Sequence, residues 1–383
     1  MSALRRGASF RNVARRFQIS LSTAWKWFHR VQGQRLQRAD WRDRPRGNPR
    51  PPNRMPDPLV KRILLLRAWL KDHCPLGEFG AEAIRRQLQL QKASPLPCTR
   101  TIERILDRAG LLTCRHRRRF APPPPGWYLP ELAEGQVELD TFDFVEDLAI
   151  RSGPSIAVLN GISLYGSLAV AWPQTSFTTG DVLACLPAHW RDLGLPGYAQ
   201  FDNDTRFQGP HSLSGHLGRV VHLCLCLGVT PIFTPPRETG FQAKIESFNH
   251  LWQAKVWRRR LYVGLADLQQ QSRKFIRAHR QRHAATIESA PSRQPWPQAW
   301  PRQIRQTRIV FLRRTSDSGA ASVLETTFAV DKHWPNRLVR CELDVLTFEL
   351  KIHALRRRQP DWQPLLATRQ LPVKITPWYT HKA

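Results

Sequence analysis

Acidic residues are scarce in this chain of 383: 30 Asp+Glu stand against 59 Lys+Arg, a formal net charge of +29. So cationic a surface condenses onto polyanions, which argues against a freely diffusing enzyme of small metabolites and makes nucleic acid the first partner to consider. The seven cysteines, at 74, 98, 114, 185, 224, 226 and 341, include no CxxC pair. They match neither a disulfide framework nor a standard zinc spacing and read as reduced thiols of an intracellular protein. Long hydrophobic runs are also missing. The longest, Val220–Val229, is interrupted by His222 and Gly228, and the opening MSALRRGASF has charge with no apolar stretch behind it. Neither an export signal nor a membrane span is expected. What is plentiful is apolar and aromatic: 41% hydrophobic residues with 17 Phe and 14 Trp, too many for a disordered basic tail, on a length that predicts two to four domains.

The charge is unevenly spread. Residues 1–130 hold 28 Lys+Arg and 8 Asp+Glu, residues 131–255 hold 7 and 13, and residues 256–383 hold 24 and 9, giving nets of +20, −6 and +15. Two basic arms flank an acidic middle, which is what a cation-dependent site on a DNA-handling protein would need, because divalent cations want oxygen ligands.

In the first arm, Phe10, Val13, Ala14 and Phe17 form one helical stripe and Ala24, Trp27, Phe28 and Val31 another, with a turn at Gln18–Ile19–Ser20 and Ser20 placed to cap the second helix. This predicts a helix-turn-helix over 1–34 with Ser22, Thr23, Lys26 and Arg30 on the outer, DNA-facing side. A basic linker follows over 35–56. Stripes at Val60, Ile63 and Leu64, at Ala81, Ile84 and Leu88, and at Ile102, Ile105 and Leu106 predict a second helical domain of winged-helix or helix-turn-helix type over 57–112. Thr99 would cap its last helix, and Arg100 and Arg104 would face DNA. A basic Pro-rich linker is expected over 113–130, carrying Arg115–Arg119 and Pro122–Pro125.

From Gln136 the text alternates β-rich runs with helical ones, an α/β pattern predicted to span 131–285. Three carboxylates sit where they could converge: Asp140 inside the first strand pattern, Asp202 at the end of YAQFD, and Glu246 in the helical FQAKIESFNHLWQAKVW. Such a set suits two Mg²⁺ or Mn²⁺ ions, one activating an attacking oxygen and one a leaving oxygen of a phosphodiester. Glu138 shares the strand face of Asp140 and Asp143 does not, so strand alternation makes Glu138 the nearer accessory to Asp140. Gln242, Glu246, Asn249 and Gln253 share one helix face. After a linker over 286–303, short β-segments predict a small β-barrel and tail over 304–383.

At Asp140, at Asp202 with Asn203, at Pro235–Pro236 and at Lys244 with Glu246, the chain resembles the DDE transposases of bacterial insertion sequences and the retroviral integrases. It departs from their pattern at Asp204 and Ala243, where they carry Gly. The resemblance implies an RNase H-like integrase catalytic core and a multidomain protein that takes part in transposition, DNA recombination and DNA integration. It implies Asp140, Asp202 and Glu246 as catalytic metal ligands, with Asn203, Lys244 and Asn249 as accessories. It further implies cleavage at the 3′ ends of a mobile element in double-stranded DNA, strand transfer into target DNA, a homo-multimer assembled on that DNA and a cytoplasmic, nucleoid-associated location. Two other readings stay open: a DNA-binding regulator that has lost catalysis, and a metal-dependent nuclease of the same fold.

Overall fold

The computed structural model describes residues 1–42, 55–112, 124–151, 153–238 and 240–379. The middle of the first linker, most of the second and the last four residues of the tail lie outside them. The backbone forms two compact units, Met1–Arg62 and Ile63–Ala383.

In the first unit, α1 (Ser2–Arg5) precedes α2 (Phe10–Arg16) and α3 (Leu21–Arg30). Each longer helix begins where a serine oxygen satisfies an otherwise orphaned backbone amide: Ser9 accepts from Asn12 N at 3.2 Å and Ser20 from Thr23 N at 3.0 Å. Val13, Ala14, Ala24 and Val31 form the small core, and Phe10 meets Phe28 edge to face. The helix, turn and cap stand where the sequence pattern puts them.

Helix α4 (Asp57–His73) runs across the boundary between the units, and α5 (Ala81–Leu90), α6 (Thr99–Arg108) and a short α7 (Pro130–Ala133) follow in the second. The cap residue of α6 is Cys98 rather than Thr99, with no side-chain cap bond. A large mixed sheet follows, built from β1 (Leu139–Ala149), β2 (Ser155–Ser163), β3 (Ala169–Gln174), β4 (Tyr198–Phe201) and β6 (Thr230–Phe233), with the two-residue β5 (His216–Leu217) standing apart. Helices α8 (Thr179–Leu193), α9 (Thr205–Gln208), α10 (Arg219–Leu227), α11 (Ala243–Lys255), α12 (Leu265–Arg282) and α13 (Ala284–Glu288) complete this region. β1 and β2 run antiparallel, as do β2 and β3, whereas β1, β4 and β6 run parallel.

The sheet is buried on both faces, so its strands read as nearly continuous apolar text. One face packs Phe142, Leu159, Phe201 and Phe233 against α8 and α10 through Trp190, Val182, Val220 and Leu223. The other packs Val145, Val158 and Ile162 against α11 and α12 through Ile245, Phe248, Trp252 and Phe275. Gly161 is required on the first face: a Cβ there would stand 2.6 Å from the Phe142 ring. The result is a mixed α/β architecture around a large central sheet, consistent with an RNase H-like core.

The C-terminal strands differ from the separate barrel expected over 304–383. β7 (Arg308–Arg314) pairs in parallel with β6, at Ile232↔Val310 and Phe233↔Phe311. Beyond it, β10 (Leu338–Asp344), β11 (Glu349–Ala354) and β12 (Leu365–Gln370) add an antiparallel meander, giving the nine-strand order β12-β11-β10-β7-β6-β4-β1-β2-β3. The hairpin of β8 (Ala320–Val323) and β9 (Thr326–Ala329) and the pair of β13 (Lys374–Ile375) with β5 lie outside that sheet. Among the described residues no pairing closes β12 onto β7. The apolar edge of β6 would otherwise be open, and β7 satisfies it.

Candidate active site

Side chains alternate along a strand, and that alternation decides which carboxylate of β1 belongs to the site. Asp140 shares the face of Phe142 and turns toward α8. It is buried, and its carboxylate is fully engaged: Arg293 donates from Nη1 to Oδ1 at 2.9 Å and from Nη2 to Oδ2 at 2.6 Å, and Trp190 Nε1 donates to Oδ2 at 2.9 Å. Nε2 of His189 lies 3.6 Å from Oδ2. Burial alone would raise the pKa of Asp140, but the charge and hydrogen bonds of Arg293, aided by His189, outweigh it and hold the carboxyl well below the usual range. The structure therefore does not bring Asp140 to Asp202 and Glu246, because a residue on this face of β1 points into the packed interior beneath α8.

Asp143, three residues on, takes the opposite face. β1 and β4 are paired at Thr141↔Gln200, and two residues beyond that pair stand Asp143 on β1 and Asp202 just past the end of β4. Glu246 lies exposed in the first turn of α11, the helix that packs across this face. Burial, then the charge of Asp202 and more weakly that of Glu246, push the Asp143 pKa up to about 7. Asp202 is raised as well, first by burial and also by Asp204, against the hydrogen bond it accepts from the Asp204 amide at 3.0 Å. Asp202 and Glu246 are thus close enough to Asp143 to oppose its ionisation. Among the described residues, though, no three His, Cys, Asp or Glu side chains are gathered closely enough to hold a metal ion as they stand.

Amides hold the cluster. Asn249 Nδ2 donates to Asp143 Oδ2 at 2.8 Å, and its own Oδ1 accepts from Asn160 Nδ2 of β2, also at 2.8 Å. Asn203 Nδ2 donates to the Thr234 carbonyl at 2.7 Å, while its Oδ1 accepts from Arg313 Nη2 at 3.0 Å. Arg313 also donates to the carbonyls of Thr234, Leu312 and Ser322, and burial pulls its pKa down to about 10. A guanidinium from β7 therefore latches the turn that carries Asp202.

Asp204, which stands where the resembled families carry Gly, acts on Asp202 through its charge, but its carboxylate is engaged elsewhere. Its Oδ1 caps α9 by accepting from Arg206 N at 2.8 Å, and it pairs with the Arg206 guanidinium, which in turn reaches Glu146 at 2.7 Å and stacks on Phe144. Lys244 turns away from the three carboxylates: Nζ donates to Ser167 Oγ at 2.7 Å, and burial lowers its pKa. Glu138 is buried and accepts from the amides of Tyr165 and Gly166.

In the arms, Ser22 and Lys26 are exposed on α3 and Thr23 partly so, while Arg30 folds over Trp27 and donates to the Arg42 carbonyl at 2.6 Å, with Asp40 at 3.4 Å. Arg30 therefore does not stand out from the helix as its spacing suggested; the aromatic neighbour and the carbonyl draw it in. Arg100 and Arg104 are exposed on α6, Arg100 paired with Glu103 at 3.4 Å.

Sequence spacing alone missed Asp143, Asn160 and Arg313. The signal for Asp143 was its alternation with Asp140, which the pattern shows but to which it assigns no inward or outward sense.

No family model matches the chain, and no curated protein matches it. Among solved structures it is similar to a simian T-cell lymphotropic virus intasome, at 12% identity over 75% of this chain and 91% of that chain, with a TM-score of 0.33. It is similar also to the catalytic core of BIV integrase, at 14% identity over 36% of this chain and 80% of that one, TM-score 0.27. A third is the HTLV-2 integrase catalytic core in complex with magnesium, at 10% identity over 36% and 81%, TM-score 0.25.

Proposed function

We propose that this protein is a transposase or integrase that cuts and joins DNA, with Asp143, Asp202 and Glu246 as its catalytic carboxylates. The observation that carries the reading is the gathering of Asp143, Asp202 and Glu246 on one face of the sheet, where Asp202 and Glu246 oppose the ionisation of Asp143 and an amide, Asn249, is its side-chain hydrogen-bond partner among the described residues. Oxygen-only donors of this kind suit Mg²⁺ or Mn²⁺. Held by Asp143, Asp202 and Glu246, such ions would supply Lewis-acid activation of the attacking and leaving oxygens of a phosphodiester.

The chain's own residues do the positioning. Asn249 fixes which oxygen of Asp143 faces the site, and Asn160 fixes the amide of Asn249. Arg313 and the Asp204 amide fix the turn at Asp202. Glu246 brings the third carboxylate on a helix end where the backbone dipole favours an anion. The attacking group would be water in cleavage of the element's 3′ ends and the freed 3′-hydroxyl in strand transfer, so no covalent link between protein and DNA is needed. The basic arms, at +20 and +15, would hold element ends and target DNA around the acidic middle, with Ser22, Thr23, Lys26, Arg100 and Arg104 among the contacts, and copies of the chain would assemble on the DNA.

The test is a joining assay with Mg²⁺ and oligonucleotides carrying the DNA sequences found on either side of the gene. Joined product that disappears in Asp202→Asn and Asp143→Asn supports the reading. Cleavage without joining points to a nuclease, and binding without either reaction points to a regulator. The regulator drew its motive from Asp204 and Ala243, and Asp204 is occupied in capping α9.

A further inference from the structure

Away from the carboxylates, at the far end of α11, the second unit has a cavity of about 550 Å³ walled by the end of α4, the chain after α11 and one side of α12. Its lining is strongly cationic: Lys255, Arg259, Arg260, Lys274 and Arg277 face a single carboxylate, Asp72. Three of the cations are fixed in place. Arg259 donates to the carbonyls of Asp72 at 3.0 Å and Cys74 at 2.7 Å, so it caps the negative end of α4. Lys255 donates to the Gly77 carbonyl at 3.0 Å, and Arg260 pairs with Asp267 at 3.0 Å. Bonds to carbonyls orient Arg259 and Lys255 without cancelling their charge. Lys274 and Arg277, one turn apart on α12, are exposed and make no hydrogen bond or ion pair with any described residue.

Preorganised cations with two free ones at the rim, five in all against Asp72 in the lining and Asp267 beside Arg260, form a site for a phosphate backbone. We propose that this cavity binds the DNA duplex flanking the bond attacked at Glu246, with Lys274 and Arg277 each neutralising one phosphate. The inference rests on the function proposed above. Lys255 lies nine residues beyond Glu246 on the same helix, roughly 14 Å along its axis at 1.5 Å per residue. At about 3.4 Å per step of one DNA strand, that separation places the contact about four base pairs from the attacked bond.

The experiment uses the full chain and a fluorescein-labelled duplex of arbitrary sequence, with binding followed by anisotropy across a salt titration. The double substitution Lys274→Gln/Arg277→Gln should make the plot of log affinity against log salt shallower by about 1.8, two phosphates at about 0.9 each. Lys274→Arg/Arg277→Lys should keep the wild-type slope, which separates charge from folding. On a second duplex that carries an element end and is joined in the assay above, a neutral methylphosphonate about four base pairs from the joined bond should weaken the wild type and leave the Gln variant unmoved. An unchanged slope in the Gln variant overturns the proposal, as does release of the duplex from this site by inorganic phosphate at equal phosphate concentration, the mark of a small-anion site. Asp143→Asn serves as the independent arm. If it abolishes joining while the salt slope of the Gln variant stays wild type, the cavity assignment fails and the catalytic reading stands. If no protein binds or joins DNA, both fail.

Discussion

Asp140 and Asp143 stand three residues apart on one strand and serve opposite faces of the sheet: the first is locked to Arg293 beneath α8, the second is hydrogen-bonded to Asn249 beside Asp202 and Glu246. Odd spacing on a strand makes their roles exclusive.

Exchanging the two carboxylates for amides one at a time should therefore separate chemistry from folding. Asp143→Asn should lower metal-dependent joining at least about a thousandfold, the scale at which preorganised charge at a reacting centre acts, and leave the fold intact. It should also make the metal-free protein more stable at neutral pH. A carboxylate whose folded pKa lies above its unfolded value loses stability as pH rises through the window from about 4 to about 7. Thermal melts of wild type and variant across that window check this, and equal melting curves at pH 7.5 and pH 4 would contradict it.

Arg293→Met should leave the Asp140 carboxylate buried without its main counter-charge, at a cost of about 3–5 kcal/mol. Pairing it with Asp140→Asn should recover much of that loss. The pH dependence has the opposite sense to that of Asp143. The Asp140 pKa is depressed in the fold, so its contribution is present above the unfolded value near 3.9 and drains away as pH falls below it. Denaturant titrations at pH 3 and pH 6 should show a smaller pH effect in Asp140→Asn than in wild type.

Asn160 touches no substrate atom in this scheme and acts only through Asn249. Asn160→Ala should raise the Mg²⁺ concentration needed for half-maximal joining by roughly 10-fold or more, the usual scale for groups that orient a metal ligand. Maximal rate should change less. Asn249→Ala should shift both. A loss of maximal rate in Asn160→Ala with unchanged Mg²⁺ dependence would deny it a positioning role.

Removing residues 304–383 should give an insoluble or unfolded protein rather than a trimmed, working core, because β7 covers the edge of β6 and Arg313 holds Asn203. Limited proteolysis of the intact chain should yield no stable fragment ending near 303. A soluble core that melts cooperatively would show the C-terminal strands to be dispensable.

Periodicity was enough to place α2, α3 and α6 within a residue or two, with Ser20 fixing the start of α3, since an amphipathic stripe leaves few alternatives. The β7 segment, Arg308–Arg314, was legible from its apolar run, but its partner was not: local text carries strand propensity, whereas parallel pairing with β6 is a contact across 78 residues. The same limit governed the site. Asp202 and Glu246 stand at places a motif can mark, an end of a strand and a first turn of a helix. The choice between Asp140 and Asp143 depended on which face α8 and α11 each cover, which no window of β1 contains. Arg30 and Lys244 illustrate a second limit, since long side chains go to the nearest acceptor and helix spacing fixes only where they start.

The latch from Arg313 to Asn203 spans 110 residues. On a ribosome adding roughly 5–20 residues per second, the turn bearing Asp202 exists for about 5–20 s before the guanidinium that steadies it has been made. A growing chain already presents its first basic arm in that interval and could sit on DNA, yet its carboxylates would lack their final support. The turn bearing Asp202 is thus braced only once synthesis has passed Arg313.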